Sequence, residues 1–381
     1  MTLRAEINGV NYSGFKDYKV NRSVEHLSSD YTLTLSNEGN RGLPFQRGAN
    51  IVIYANNVPV LTGFIEDLKV NYSKDDHDIT FGGRSKVCDL IDSTIGHKIE
   101  IKGPVTLEQI IAKVMKEINM TGVGIINNAG PLKPFTDKEI VAGTVDQHIF
   151  DFLEQYTKKR QVLMTNDGLG NVVLARAGTE HAATSLIQYI DKELGNKYNN
   201  IKSADVSFDD SQRYYLYRAF GQGNPAAGAA SGTSNNENLT NRIGQAIDPE
   251  IRTTRILDIT AESTSDIPTL NERCKWEANI RRARSIEYCA TVQGHVMTNN
   301  GKPWEPNMLV SVKDEMALID SSLLIKDVNY SLDLSGGSIT KLTLVHPDSF
   351  LPEPVLSNSK KKKSKIGFKN RGSTDGAYVQ N

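Results

Sequence analysis

The chain has 381 residues, more than one hydrophobic core serves and room for about two to four domains. Hydrophobic residues make up 38% and charged residues 23%, with 44 Lys and Arg against 45 Asp and Glu, which excludes a disordered polymer and a nucleic-acid coat. No apolar run approaches the roughly 20 residues that span a bilayer, and Met1 to Glu6 carry no secretory h-region, so the sequence predicts synthesis into the cytoplasm.

Charge is segregated along the chain. From Ser357 onward there are seven basic residues and one acid, which leaves the body at −7 and the tail at +6. Cys88, Cys274 and Cys289 show no C-x-x-C spacing, so they support neither a disulfide framework nor a zinc ribbon and read as core thiols.

From Leu3 to about Gly83 short strands alternate with turns, for example 31–35, 50–54 and 63–73, a density that predicts a barrel or sandwich. The acidic cluster around His77 reads as a solvated turn leading into Ile79–Phe81. The period then changes. Leu107, Ile110, Ile111, Val114, Met115 and Ile118 repeat at helical spacing behind a Thr106/Gln109 capping box, which predicts a helix over 107–119. Thr144 with Gln147 repeats that signature ahead of Val145, Ile149, Phe152, Leu153 and Tyr156, and the second helix ends in Lys158, Lys159 and Arg160. Residues 161–164 and 171–175 form a hairpin, completing an α/β piece.

Strand character resumes at 201–208 and 213–220, then stops in a glycine-rich loop over 221–245 that predicts mobility. Gly221 and Gly223 follow a strand, but without a third glycine or a Lys they make no phosphate loop. Asp266 and Pro268 open a third helix to Arg284, with Ile267, Leu270, Cys274 and Ala278 on one face. Strands return from Ser285.

An internal repeat underlies these elements. Residues 50–55 align with 307–312, and Val70-Asn-Tyr-Ser73 aligns with Val328-Asn-Tyr-Ser331, at offsets of 257 and 258 residues. Each copy continues through a polar turn into a returning strand, which predicts two similar β-domains in one chain.

Several segments carry a family resemblance. Residues 79–92, with Gly83-Arg-Ser-Lys-Val-Cys-Asp-Leu-Ile-Asp92 at their end, resemble the segment closing the first barrel of the baseplate hub proteins of phage Mu and its contractile-tailed relatives. In order after it, 152–163 with 170–174, 211–222, 276–284, 301–307 and 324–331 resemble the family's helix-hairpin unit, its next strand, and its last helix and barrel. The resemblance covers about residues 50–350; the basic tail, and Thr157 where the family often has Ala, depart from it.

It implies a mainly β fold with an α+β insert: a first tube-like β-barrel over 1–95, an α/β domain over 96–195, and a second barrel over 196–350 carrying the loop and the helix 266–284. The basic tail over 351–381, poor in apolar residues and with lysines that repel one another, is expected to be disordered. The resemblance also implies a homotrimeric ring in the virion tail baseplate, assembled in the host cytoplasm, with pseudo-sixfold symmetry. The ring joins the hexameric tail tube to the trimeric membrane-piercing spike, with the tape-measure protein as a further contact and DNA only in transit. No membrane insertion, cofactor, metal or catalytic residue is implied.

The rival classes are a tail-tip peptidoglycan hydrolase and a sugar-binding receptor protein. The seven His show no zinc spacing, Ser85 lacks the nucleophile-elbow pattern, and Glu66 and Asp67, adjacent on a strand, face opposite sides. Two Trp and 7% aromatics give a sugar platform little material. Candidate interface residues are Arg84, to pair with an acid across a subunit boundary or to sit structurally at a barrel edge; Trp304, to anchor an interface or cap its own barrel; and Lys360, Lys361, Lys362 and Lys363, to dock on an acidic partner or stay solvated.

Overall fold

The computed structural model describes residues 3–36, 43–73, 77–221, 243–260, 267–333 and 337–350. The basic tail with its four lysines, residues 222–242 of the glycine-rich loop and part of the 74–78 turn lie outside these residues. The first eight strands are β1 (Arg4–Ile7), β2 (Val10–Tyr12), β3 (Asp17–Ser23), β4 (Asp30–Ser36), β5 (Asn50–Ala55), β6 (Val58–Phe64), β7 (Asp67–Tyr72) and β8 (His77–Arg84). Asn56 and Asn57, at φ 49° and 64°, supply the two left-handed positions that a tight β5–β6 hairpin requires. Strands β2, β1, β5 and β6 form one antiparallel sheet.

A middle segment follows with α1 (Asp89–Asp92), α2 (Leu107–Glu117), β9 (Ile125–Asn127), α3 (Ile149–Arg160), β10 (Leu163–Asn166) and β11 (Val172–Ala175). The Thr106/Gln109 capping box is formed, and α2 buries Leu107, Ile110, Ile111, Val114 and Met115. The second helix starts later than expected. Thr144 and Gln147 bond each other in a turn, Asp146 adopts φ 66°, Val145 is 60% exposed, and α3 begins only after His148. The signature was real, but a left-handed residue inside it closes a turn and cannot seed a helix. The hairpin β10–β11 forms as expected, and β9 adds to β11 in parallel, a pairing that three residues of Ile-Ile-Asn do not announce.

The last third contains β12 (Glu180–His181), β13 (Leu186–Gln188), α4 (Lys192–Tyr198), β14 (Ile201–Phe208), β15 (Leu216–Phe220), β16 (Ile243–Ile247), β17 (Ile256–Thr260), α5 (Ile267–Ala283), β18 (Ile286–Gln293), β19 (Met308–Asp314), β20 (Ile319–Asp333) and β21 (Gly337–Val345). Residues 180–188, expected in the α/β piece, pair with β19. Strand β15, expected in the second barrel, instead forms a separate sheet in the order β16-β15-β17, with α5 packed through Leu270 and Cys274 against Tyr217 and Ala219. The loop also ends earlier than expected, because Ile243–Ile247 is a strand.

The largest sheet unites both ends of the chain in the order β14-β18-β21-β20-β3-β4-β8-β7. One face is apolar. Tyr18, Val20, Leu33, Phe81, Tyr288, Leu342 and Leu344 alternate inward and are at most 2% exposed, so one core runs beneath both halves. The halves meet where β20 pairs antiparallel with β3, Val328 opposite Arg22 and Tyr330 opposite Val20.

Beneath that junction lies a buried polar chain. The Thr340 hydroxyl donates to the Gly294 carbonyl (2.7 Å), so His295 must donate its Nδ1 proton to Thr340 (3.0 Å) and present a bare Nε2 to the Tyr18 hydroxyl at 2.7 Å. Burial depresses the His295 pKa from 6.5 to about 4. A folded pKa below the unfolded one means that the unfolded chain binds the extra proton first. The contribution is complete above pH 6.5 and is lost as pH falls toward 4, of order 3 kcal/mol across the window. We expect His295→Gln to flatten the acid limb of the stability-versus-pH curve between pH 6.5 and 4, measured by denaturant unfolding; an unchanged limb would assign the acid sensitivity elsewhere.

Candidate assembly surface

The strand order of the large sheet is a tandem. Val70-Asn-Tyr on β7 corresponds to Val328-Asn-Tyr on β20, and the ladders then equate β8 with β21, β4 with β18 and β3 with β14. The hairpins match too: β5–β6 leads into β7 as β19 and the first half of β20 lead into its second half. The interruption between β6 and β7 has its counterpart in a register shift between Ile325 and Asp327. The surroundings differ. β5 is flanked by antiparallel β1, whereas β19 is flanked by parallel β12 and β13.

Two features of this sheet face outward. Its second face is polar, with Thr32, Thr34, Thr80, Asn21, Asn329, Thr291 and Ser203 among interspersed charges. Asp17, Asp30, Asp67, Asp78, Asp205, Glu287, Asp327 and Asp333 alternate onto it with Lys19, Lys69 and Lys341, and Lys16, Lys202 and Lys326 pair with Asp78, with Asp333, and with Glu287 and Asp327. Cys289, expected in the core, lies in this alternate set and is only half-buried, opposite Asp205 and Thr343. The other feature is the pair of terminal strands. Among the described residues β7 pairs only with β8, and β14 only with β18.

The sequence Gly82-Gly-Arg-Ser85 closes the first half. A Cβ on Gly83 would stand 2.0 Å from the Phe64 carbonyl oxygen, and one on Gly63 1.9 Å from that of Arg84, so β6 crosses β8 only where both lack side chains. Ser85 is buried and accepts from the Ser29 amide at 3.1 Å. Arg84 binds two acids of its own chain: Nε and Nη2 reach Glu66 at 2.9 and 2.8 Å, and Nη1 and Nη2 reach Asp92 at 3.0 and 2.5 Å. This holds the Asp92 carboxyl below the usual range. Trp304 is 2% exposed in the core of its own half, and its carbonyl accepts from the Tyr330 hydroxyl. Thus Arg84 and Trp304 are brought neither together nor to the terminal strands.

Sequence reasoning missed Tyr72 and Phe208, which are 79% and 60% exposed on β7 and β14. Each has the alternation of a core residue, so period alone could not reveal that its neighbouring strand is missing. No group of three or more His, Cys, Asp or Glu able to hold a metal occurs among the described residues, and no helix there is long and apolar enough to cross a membrane.

Comparison with known proteins agrees with this geometry. The family model described as Mu phage baseplate assembly protein GpP-like, N-terminal, matches residues 2–85, and that described as Mu phage baseplate assembly protein GpP, fourth domain, matches residues 268–353. The chain is 27% identical over 371 residues to the baseplate hub protein gp44 of Escherichia phage Mu, covering 95% of this chain and 92% of that one. In fold it is similar to the 43 kDa tail protein of prophage MuSo2 from Shewanella oneidensis, with a TM-score of 0.73 and 25% identity over 93% of this chain and 100% of that one. A tail protein from Neisseria meningitidis gives a TM-score of 0.71 at 16% identity, over 92% and 98% of the two chains.

With both its acids in its own chain and about a third of its side chain exposed, Arg84 acts as a local clasp. We expect Arg84→Met to lower stability by about 1 kcal/mol at low ionic strength and by less as salt rises. Thermal melts across a salt series together with the assembled mass check this, the mass being expected to stay as in the parent.

Proposed function

We propose, from the kinship of this chain with the phage Mu baseplate hub family, that three copies close into a ring at the tip of a contractile tail. There the ring joins a hexameric tube on one side to a trimeric spike on the other. The chain's role as a structural tail component is common to the relatives it matches; the trimer, the symmetry and the partners are our reading. The observation that carries it is the tandem strand order, because three chains with two equivalent four-strand units each present six similar faces. Such a ring mates with a sixfold partner through single repeats and with a threefold partner through whole chains.

In that arrangement the polar face of the large sheet lines the channel. Its lysines are interspersed with acids and several are held in ion pairs with them, which fits a conduit through which DNA slides, since a continuous wall of unpaired Lys and Arg would bind phosphates and hold the duplex. The basic tail is then kept out of the channel and offers its lysines to an acidic surface of the spike or the tape-measure protein. A hydrolase or a sugar receptor finds no comparable support: Glu66 and Asp92 are bridged by Arg84, an arrangement that neutralises them and does not poise them as acid and base.

Native mass spectrometry and negative-stain images of the purified chain test the ring. Three chains in an annulus are expected, with no loss of turbidity from cell walls; a chain that stays monomeric at tens of micromolar, or that clears cell walls, overturns the reading. A second measurement concerns the channel. Replacing Thr32 and Thr80 by Lys is expected to create salt-sensitive retention of double-stranded DNA where the parent retains none, and equal retention by both would remove the channel assignment.

A further inference from the structure

The two ends of the large sheet are complementary, and the chain contains its own template for how they fit. Resting on the ring reading above, we propose that β7 of one copy pairs antiparallel with β14 of the next, in the register by which β20 pairs with β3 inside each chain. The register follows from the ladders. Tyr330 lies opposite Val20, Asn329 opposite Asn21 and Val328 opposite Arg22. Tyr72 is the equivalent of Tyr330, and Phe208 is the equivalent of Val20 through Ile286 and Tyr31. Tyr72 therefore meets Phe208 across the seam, and Asn71 meets Asp209.

Three observations support this pairing. Tyr330 and Val20 are fully buried, whereas Tyr72 and Phe208, their equivalents, are 79% and 60% exposed. Val70 is also 42% exposed although its alternation points it to the core. Apolar residues of core alternation are thus uncovered where the adjoining strand is lacking, and a long free edge of this kind is a liability unless another chain covers it. The side chains on the other face also match. Asn329 donates from Nδ2 to the Asn21 side chain within the chain, and at the proposed seam Asn71 would donate to the Asp209 carboxylate, a charge-assisted version of the same bond. Finally, the Asp209 amide already bonds the Ser285 carbonyl at 2.8 Å, so the β14–β18 ladder extends far enough to present Asp209 in line with the strand.

The test uses the full chain carrying Asn71→Cys and Asp209→Cys, since directly opposed residues of antiparallel strands stand at disulfide distance. Mild oxidation is expected to link copies covalently into dimers and trimers on a non-reducing gel. The intrachain counterpart Asn21→Cys with Asn329→Cys should form its bond without any change of mass. The displaced pair Asn71→Cys with Phe208→Cys, whose side chains alternate to opposite faces, should link far less. A chain that assembles to trimer mass but stays unlinked overturns the seam and leaves the ring standing; a chain that does not assemble overturns the ring and the seam together. Tyr72→Asp and Phe208→Asp give the second readout. Both positions are exposed in the single chain, so the melting temperature should hold while the trimer fraction at fixed concentration falls about tenfold or more; a trimer fraction equal to the parent's counts against the seam.

Discussion

The pairing of β20 with β3 organises everything else in this molecule. These strands come from opposite ends of the chain, and their ladder turns two four-strand units into one continuous sheet over a shared core. Closing contacts across some 300 residues costs little more than closing them across half that span, because loop entropy grows only logarithmically. The long connection can therefore carry the α/β insert and the α5 unit without weakening the junction. The buried chain from Gly294 through Thr340 and His295 to Tyr18 crosses the same junction and fixes its polar register where apolar packing alone would tolerate a slip.

The insert is fastened by a different means. Asn166 donates to the Leu27 carbonyl and accepts from Ser29, and Thr62 donates to the Gly168 carbonyl at 2.8 Å. A Cβ on Gly168 would lie 2.0 Å from the Pro59 carbonyl oxygen, so the turn of the β10–β11 hairpin is pressed onto β6 backbone to backbone. The insert keeps its own core of α2, α3 and the hairpin, yet Leu27 and Val87 of the first half belong to that core as well.

Much of this was legible in the amino-acid order, and the failures share a cause. Part of the repeat is legible, in β5, β7 and β8 against β19, β20 and β21, because Val-Asn-Tyr-Ser sits at the same ladder position in both halves, and α2 is legible because a capping box precedes a clean helical period. The start of β16 reads as loop because its Ile-Gly-Gln-Ala-Ile sequence adjoins a glycine-rich stretch and is too short to show a period. β9, β12 and β13 are two or three residues each, and their partners lie far away in sequence, so only tertiary context creates them. The start of α3 is ambiguous in the sequence because a turn and a helix cap use the same Thr and Gln. For the assembly surface, Tyr72, Val70 and Phe208 alternate in step with the inner face, but a period says which way a side chain points and not what stands beside it. Arg84 finds both its acids within its own half, and Trp304 is buried in the core of its own half.

The contact between Gly168 and Pro59 has a consequence for how the sequence can drift. Because two backbones touch there with no side chain between them, neither the β5–β6 hairpin nor the β10–β11 turn can accept a bulkier or longer version of itself independently. Any lineage that lengthens one must remodel the other in the same step or abandon the joint. This pair of turns, separated by more than a hundred residues, is bound to evolve as one.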